Sequence, residues 1–157
     1  MSSQRIYLAS PLGFSPENQS YLAKVKERLA ALGCTLFDPW DQTRYAVDID
    51  NALQLADYAG RVEAFHRIAS GIGALNEEGI RGADIVFAIL DGAEVDSGTA
   101  SEVGFGSALG KRCYGLRTDL RDCGDFVGVP INLQVLHFIE RSGGRLFRSI
   151  GEIDIAS

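Results

Sequence analysis

The chain has 157 residues, enough for one domain of ordinary size and too few for two, so we expect a single domain over residues 1–157. Hydrophobic residues make up 46% and charged residues 23%, which is typical of a soluble globular protein and excludes a disordered chain. Because 15 Lys and Arg stand against 21 Asp and Glu, no basic surplus exists to neutralise phosphates, and we expect no nucleic acid polymer as partner.

The cysteines and the apolar stretches indicate the compartment. Cys34, Cys113 and Cys123 are odd in number and lack CxxC spacing, which predicts reduced thiols and a cytoplasmic location. Residues 1–10 contain no basic region followed by an apolar core, so we expect no secretory signal. No apolar stretch reaches the ~20 residues needed to span a bilayer, so we expect no membrane partner.

The N-terminal part of the chain predicts a strand, a helix and a second strand. Residues 5–9 (RIYLA) form a short apolar run that is typical of a buried strand. Ser15-Pro16-Glu17 predicts a helix start, with Ser as N-cap and Pro at the first helical position. Apolar residues then recur at helical spacing until Gly33, which ends the helix. These residues are Tyr21, Leu22, Val25, Leu29 and Leu32. Residues 34–37 predict the second strand.

The rest of the chain continues to alternate between helices and strands. Residues 48–70 predict a long helix and residues 76–83 a short one. Residues 84–90 (DIVFAIL) show the continuous apolar character of a parallel strand that is covered on both faces. The remaining predicted elements are a helix over residues 99–110, a strand over residues 112–116, and a helical stripe of Leu133, Leu136 and Ile139 after Pro130.

This alternation predicts a three-layer α/β domain with a mostly parallel sheet and helices on both faces, as in flavodoxin-like and Rossmann-like folds. Ligands of such sheets bind beyond the carboxyl ends of the strands. The segments that follow predicted strands are Ser10-Pro11, Asp38–Gln42 and Asp91–Glu102. We expect the functional residues there.

Several common sites are absent from the sequence. It has neither a GxGxxG after the first strand nor a GxxxxGK[ST], so neither a dinucleotide nor a nucleoside triphosphate is indicated. Gly104 and Gly106 instead indicate a helix that packs closely on the sheet. His66 and His137 are isolated, which argues against a metal site, and the lack of a GxSxG elbow argues against a serine hydrolase.

The most informative stretch runs from Leu90 to Gly104, and Glu102 within it has two interpretations. In the first, Thr99-Ala100-Ser101-Glu102 is a capping box and Asp91 and Asp96 are turn formers. In the second, Glu102 lies in the positive field of the first helical turn, stays ionised and acts as a nucleophile. Asp96 would then position a hydroxyl or exchange a proton, because two carboxylates about 5 Å apart are used in glycosyl transfer.

The sequence resembles the nucleoside 2-deoxyribosyltransferase family. The matching segments occur in the family's order and extend over about residues 5–140. They are Ile6-Tyr7-Leu8-Ala9-Ser10-Pro11, Asp38-Pro39-Trp40-Asp41-Gln42, Asn76 with Ile80 and Ala83-Asp84, Leu90-Asp91-Gly92, Asp96-Ser97-Gly98-Thr99-Ala100-Ser101-Glu102-Val103-Gly104, and Pro130-Ile131-Asn132-Leu133.

The resemblance implies transfer of 2-deoxyribose between nucleobases, with 2′-deoxynucleosides and free bases as partners and no cofactor. It makes Glu102 the nucleophile at C1′, Asp96 its neighbour on the sugar hydroxyls, and Tyr7 the residue that orients Glu102. Gln42 and Asn76 would face the nucleobase. At the position of Asn76 the family often has Asp. The other implied substrate-binding residues are Asp91, Gly98 and Asn132, the last of which would reach into a neighbouring subunit.

This role of Asn132 implies a homo-oligomer that is built from dimers and could be a hexamer. Without the family, Asn76 is interpreted as a helix N-cap, Tyr7 as a core aromatic and Asn132 as a loop residue. Some family members end in a tyrosine whose carboxylate enters the site, whereas this chain ends Ile153-Asp154-Ile155-Ala156-Ser157. Two alternatives stay open, a hydrolase of 2′-deoxynucleoside 5′-phosphates and a non-catalytic nucleoside-binding protein.

Overall fold

The computed structural model describes residues 3–155, and their strands form one parallel sheet. The strands are β1 (Arg5–Ala9), β2 (Thr35–Phe37), β3 (Ile85–Ile89), β4 (Arg112–Leu116) and β5 (Leu146–Phe147). Their order is β2-β1-β3-β4-β5, and each neighbouring pair is parallel. The predicted three-layer α/β class is confirmed. Strand β5 has no counterpart in the sequence prediction, because two residues carry no readable alternation.

Helices cover both faces of the sheet. Helix α1 (Gln19–Ala31) packs on one face, whereas α3 (Tyr58–Gly82), α4 (Ser97–Ala108) and α5 (Leu133–Arg141) pack on the other. Helix α2 (Ala46–Gln54) packs on α3 through a small apolar cluster of its own. None of the helices within residues 3–155 is long and apolar enough to cross a membrane.

The alternation of side chains along β1 decides which residues reach the functional edge. Ile6 and Leu8 join the core on the α1 face, and Tyr7 and Ala9 join the core on the opposite face. Tyr7 is paired with Phe37 of β2 on one side and Val86 of β3 on the other, so it lies in the middle of the sheet. It is fully buried and faces the layer that contains α4.

The prediction of separate helices over residues 48–70 and 76–83 is wrong. The helical structure is instead interrupted between α2 and α3, just before Asp57. The Asp57 side chain caps α3 by accepting a hydrogen bond from the Gly60 amide at 2.6 Å. Helix α3 then continues through Gly71 and Gly79 without interruption. A Cβ at either glycine would lie less than 3 Å from the ring of Tyr45 or Phe37, respectively, so these glycines serve close packing and not helix termination.

The other helix ends follow the sequence more closely. Gly33 adopts a φ of +82° after α1, as a helix-terminating glycine does, which confirms that prediction. Pro16 begins a short 3₁₀ turn, Pro16–Asn18, that leads into α1. Gly106 packs against Val86 of the sheet as expected, whereas Gly104 lies against Phe138 of α5.

Candidate active site

The site lies where the order of the strands reverses. The chain moves from β1 outward to β2 and then returns to place β3 on the opposite side of β1, which opens a crevice at their carboxyl ends. A cleft of about 510 Å³ occupies this position, between the segments that follow β1 and β2, the N-terminal half of α4 and the helices α2 and α3. It is large enough for a nucleoside-sized ligand.

Glu102 and Tyr7 form the central contact. Glu102 lines the cleft from α4, and the Tyr7 hydroxyl donates a hydrogen bond of 2.5 Å to Glu102 Oε1. Tyr7 is itself held by a stacked contact with Phe37, with ring centroids 5.6 Å apart. One carboxylate oxygen of Glu102 is therefore fixed by a buried donor, which orients the side chain for a reaction at the other oxygen.

The environment shifts the titration of both groups. Burial raises the pKa of the Glu102 carboxyl to about 7, with an opposing effect from the Tyr7 hydrogen bond and a further increase from the Asp96 charge. Burial, followed by the neighbouring charge of Glu102, raises the pKa of Tyr7 well above its usual range. Tyr7 is therefore a hydrogen-bond donor at any physiological pH, whereas the ionised fraction of Glu102 increases with pH across the neutral range.

The capping-box interpretation of Glu102 is wrong. Helix α4 begins at Ser97, and Asp96 is its N-cap, with Oδ2 accepting from the Thr99 amide at 2.9 Å and the Thr99 hydroxyl at 3.1 Å. Glu102 therefore lies in the second turn and is turned toward Tyr7 instead of the helix start. The expected positive field of a first turn does not reach it, and burial governs its pKa.

Asp96 lines the same cleft, as does Gly98 directly after it. Within residues 3–155 both hydrogen bonds to the Asp96 carboxylate go to Oδ2, which leaves Oδ1 available to a ligand hydroxyl. A Cβ at Gly98 would lie 3.2 Å from Asp96 Oδ2. A side chain at position 98 would therefore crowd the oxygen of Asp96 that caps α4.

Gln42 and Asn76 line the cleft from opposite sides. Gln42 follows β2, and its Nε2 donates a hydrogen bond of 3.0 Å to the carbonyl of Asp38. Asn76 lies inside α3, so its interpretation as an N-cap is wrong. Both residues have amide side chains, and an amide can accept and donate hydrogen bonds but cannot supply a proton as an acid does.

Several lining residues have no role in the sequence analysis, among them Phe14, Trp40 and Arg44. Phe14 and Trp40 contact each other edge to face, with ring centroids 4.6 Å apart, and Arg44 lies near them at the start of α2. Phe14 and Arg44 belong to turns with no repeating pattern, and only the tertiary fold brings them to the cleft. Trp40 is part of the Asp38–Gln42 segment, whose place after a strand is the one available signal.

Asp91 and Asn132 lie outside this cleft. Asp91 Oδ1 accepts from the amides of Thr118 and Asp119 at 2.6 and 2.7 Å, and Oδ2 accepts from the Tyr21 hydroxyl at 2.7 Å. Asn132 is exposed and caps α5 through bonds to the next turn. In a single chain, Asp91 therefore holds the loop after β4, and Asn132 caps α5. Their predicted contacts with substrate stay predictions.

Residues 3–155 contain no group of three or more His, Cys, Asp and Glu side chains that could hold a metal ion.

Of the C-terminal residues, Ile153 and Ile155 are buried in the core on the α1 face, and residues 156–157 lie outside the described part of the chain.

Comparison with known proteins identifies the family. The sequence model of the nucleoside 2-deoxyribosyltransferases matches residues 6–134, which include all the segments described above. A search of curated proteins found no match.

Solved structures agree with the family match. The 2-deoxyribosyltransferase of Bacillus psychrosaccharolyticus is 25% identical, with 96% of this chain and 93% of that chain covered and a TM-score of 0.61. The 2-deoxyribosyltransferase of Leishmania mexicana is also 25% identical over 84% of this chain and 85% of its own, with a TM-score of 0.58. A CMP N-glycosidase of Clostridium botulinum, 17% identical over 95% and 94% with a TM-score of 0.51, shares the fold.

Proposed function

The chain belongs to the nucleoside 2-deoxyribosyltransferase family, and we propose that it exchanges the base of a 2′-deoxynucleoside for a free nucleobase through a covalent deoxyribosyl-Glu102 intermediate. The observation that carries this proposal is the hydrogen bond from buried Tyr7 to Glu102 at the mouth of the sheet. It leaves an oriented carboxylate facing a cleft of nucleoside size, with Asp96 beside it.

The reaction has two displacements at C1′. In the first, a Glu102 oxygen bonds to C1′ while the bond from C1′ to the base nitrogen breaks, and its electron pair leaves with the base, which takes up a proton. In the second, a nitrogen of the incoming base attacks C1′, the bond to Glu102 breaks, and the new base loses its proton. Two inversions give net retention.

Glu102 reacts in its ionised form. Positive charge develops at C1′ and the ring oxygen as the base departs, and a carboxylate in a partly buried site stabilises that charge more than one in water does. Tyr7 fixes one oxygen of the carboxylate, so little reorganisation is required during the attack. Because the pKa is about 7, the ionised fraction of the free enzyme increases with pH across the neutral range.

The remaining residues bind the two halves of the substrate. Asp96 would bind the sugar hydroxyls through Oδ1, and Gly98 would leave room for the sugar beside it. Gln42 and Asn76 would contact the base. Because Asn76 is an amide, the proton for the departing base would come from solvent. Asp91 would act from the edge of the site, and Asn132 would complete the site of a neighbouring subunit in a dimer-based assembly that could be a hexamer.

The competing function is hydrolysis of 2′-deoxynucleoside 5′-phosphates, in which water replaces the acceptor base. Arg44 gives the cleft one cation that could meet a phosphate. The carboxylates of Asp96 and Glu102 in the same cleft would oppose such a dianion. The structural likeness to the CMP N-glycosidase, at 17% identity, extends to the fold and does not favour hydrolysis.

A base-exchange assay tests the proposal. The protein is incubated with 2′-deoxyinosine and adenine, and the formation of 2′-deoxyadenosine is followed by chromatography. We expect 2′-deoxyadenosine when adenine is present and little release of hypoxanthine when it is absent. Glu102→Ala should neither form 2′-deoxyadenosine nor release hypoxanthine. Release of hypoxanthine without transfer, or turnover of 5′-phosphates alone, would establish a hydrolase. Nucleoside binding without turnover would establish a binding protein.

A further inference from the structure

The wall of the cleft that carries Trp40 and Gln42 is built around one buried carboxylate. Asp38 follows β2 directly and is only 2% exposed, although it belongs to a polar segment at the surface edge of the sheet. A buried aspartate requires partners for its charge and its lone pairs. In the family resemblance Asp38 is part of a matching segment and has no assigned role.

Each acceptor of Asp38 holds a different part of the wall. Oδ1 accepts a hydrogen bond of 2.9 Å from the Trp40 amide and caps the short 3₁₀ turn Pro39–Asp41. The Asp38 carbonyl accepts from Gln42 Nε2 at 3.0 Å. The position of the Trp40 backbone and the orientation of the Gln42 side chain therefore both depend on Asp38.

The charge of Asp38 is balanced from the opposite layer of the protein. Lys26 of α1 reaches over the edge of the sheet, and its Nζ lies 2.5 Å from Asp38 Oδ2 and 2.9 Å from Asp41 Oδ2. Helix α1 is packed firmly in the core through Leu22, Val25 and Leu29. Lys26 therefore ties the wall to a rigid element outside the site.

The Trp40 side chain connects the segment after β2 to the segment after β1. Its Nε1 donates to the Ser10 carbonyl at 2.8 Å, and its ring covers Gly13 and contacts Phe14. The segments after β1 and β2 are thereby joined into one surface.

We propose that Asp38, held by Lys26, is a positioning residue that fixes the base-facing wall formed by Trp40 and Gln42. Asp38 is buried behind the residues that line the cleft and is not one of them, so it would act on substrate through that wall. The kinetic part of this inference rests on the proposed base-exchange activity, and the structural part does not.

The structural part has a specific probe, because Trp40 is the single tryptophan in the sequence. We would measure acrylamide quenching of its fluorescence in Asp38→Ala, Asp38→Asn, Lys26→Met and Lys26→Arg, with circular dichroism to confirm folding. Quenching is expected to increase in Asp38→Ala and Lys26→Met. It is expected to stay near the wild-type value in Lys26→Arg, which keeps a cation, and to be intermediate in Asp38→Asn, which keeps an acceptor for the Trp40 amide but has no charge for Lys26.

The matched control is Lys24→Met, which removes an exposed lysine from the same helix. Quenching in this variant should equal that of the wild type. If Lys26→Met does not fold, the comparison of Asp38→Ala with Asp38→Asn carries the test. Wild-type quenching in folded Asp38→Ala would overturn the proposal, whether or not the protein exchanges bases.

The kinetic readout separates positioning from general loss of structure. Because the wall meets the base and not C1′, we expect Asp38→Ala and Lys26→Met to raise KM about tenfold and to change kcat by less than about twofold. KM should stay near the wild-type value in Lys26→Arg and should rise less in Asp38→Asn than in Asp38→Ala. An equal fall of kcat in all four variants, with KM unchanged, would refute positioning of the base.

Discussion

Replacement of Glu102 by glutamine should make the folded protein more stable at alkaline pH while removing the proposed activity. Glutamine keeps the shape of the side chain and an oxygen that can accept the Tyr7 hydrogen bond, but it has no charge to bury. The wild-type carboxylate must be ionised in a partly buried position that raises its pKa to about 7. Stability and activity should therefore change in opposite directions.

The magnitude follows from the pKa of Glu102. A rise from its ordinary value of 4.5 to about 7 corresponds to about 3 kcal/mol, at about 1.4 kcal/mol for each tenfold change in the proton affinity. Since the folded state has the higher pKa, protonation favours folding below 4.5, and this contribution is lost as the pH rises through 7. The gain from Glu102→Gln should be near zero at about pH 4 and should approach about 3 kcal/mol at about pH 8.

Urea unfolding of both proteins at these two pH values measures the difference directly. Glu78→Gln, an exchange of the same kind at an exposed position of α3, serves as the control and should give the same small change at both. A Glu102→Gln difference that does not depend on pH would refute the reasoning, because it would show that folding does not perturb this carboxyl.

Three further predictions concern the surroundings of Glu102 and the edge of the sheet. Tyr7→Phe removes the hydrogen bond that lowers the Glu102 pKa, so the acidic limb of the kcat/KM profile should move to higher pH and kcat/KM at about pH 7 should fall about tenfold or more. Asp96→Asn keeps a helix cap but removes a charge that raises the same pKa, so the limb should move to lower pH in the same titration. Asp91→Ala leaves the exposed Thr118 amide and the Tyr21 hydroxyl without their acceptor and should lower the free energy of unfolding in urea by about 1–2 kcal/mol; a raised KM without this loss would indicate a contact with substrate.

The central strands could be predicted from the sequence because their pattern is local. After Asp84, residues 85–90 are continuously apolar, and β3 (Ile85–Ile89) lies within the predicted residues 84–90. Strand β4 coincides with the predicted residues 112–116. Such strands are buried on both faces, so their composition alone identifies them.

The helices around the cleft could not be predicted in the same way. The predicted interruption after residue 70 begins at Gly71, yet α3 continues through Gly71 and Gly79, where Tyr45 and Phe37 occupy the space that a Cβ would fill. The reason for each glycine lies in a residue more than 25 positions away along the chain. Helix continuity was therefore decided by tertiary packing.

The candidate site shows the same division. The segment from Asp96 to Glu102 could be located from its place after the best strand, whereas the pairing of Glu102 with Tyr7 spans 95 residues and was implied by the family resemblance alone. The sequence also favoured a capping box, because Thr99 and Glu102 have its spacing. Asp96 provides the cap instead, and this frees Glu102 to turn toward the sheet.

The release of Glu102 from the helix start changes the physical basis of its reactivity. A carboxylate in a first turn is stabilised as an anion by the helix and is a weaker nucleophile for that reason. In the second turn, burial destabilises the anion and raises its pKa to about 7, although the Tyr7 hydrogen bond opposes this rise. The free energy lost on ionisation is recovered when a positive charge develops at C1′, because the same low polarity strengthens that attraction. The burial that lowers the stability of the fold at alkaline pH is thus the feature that suits Glu102 to trap a sugar cation.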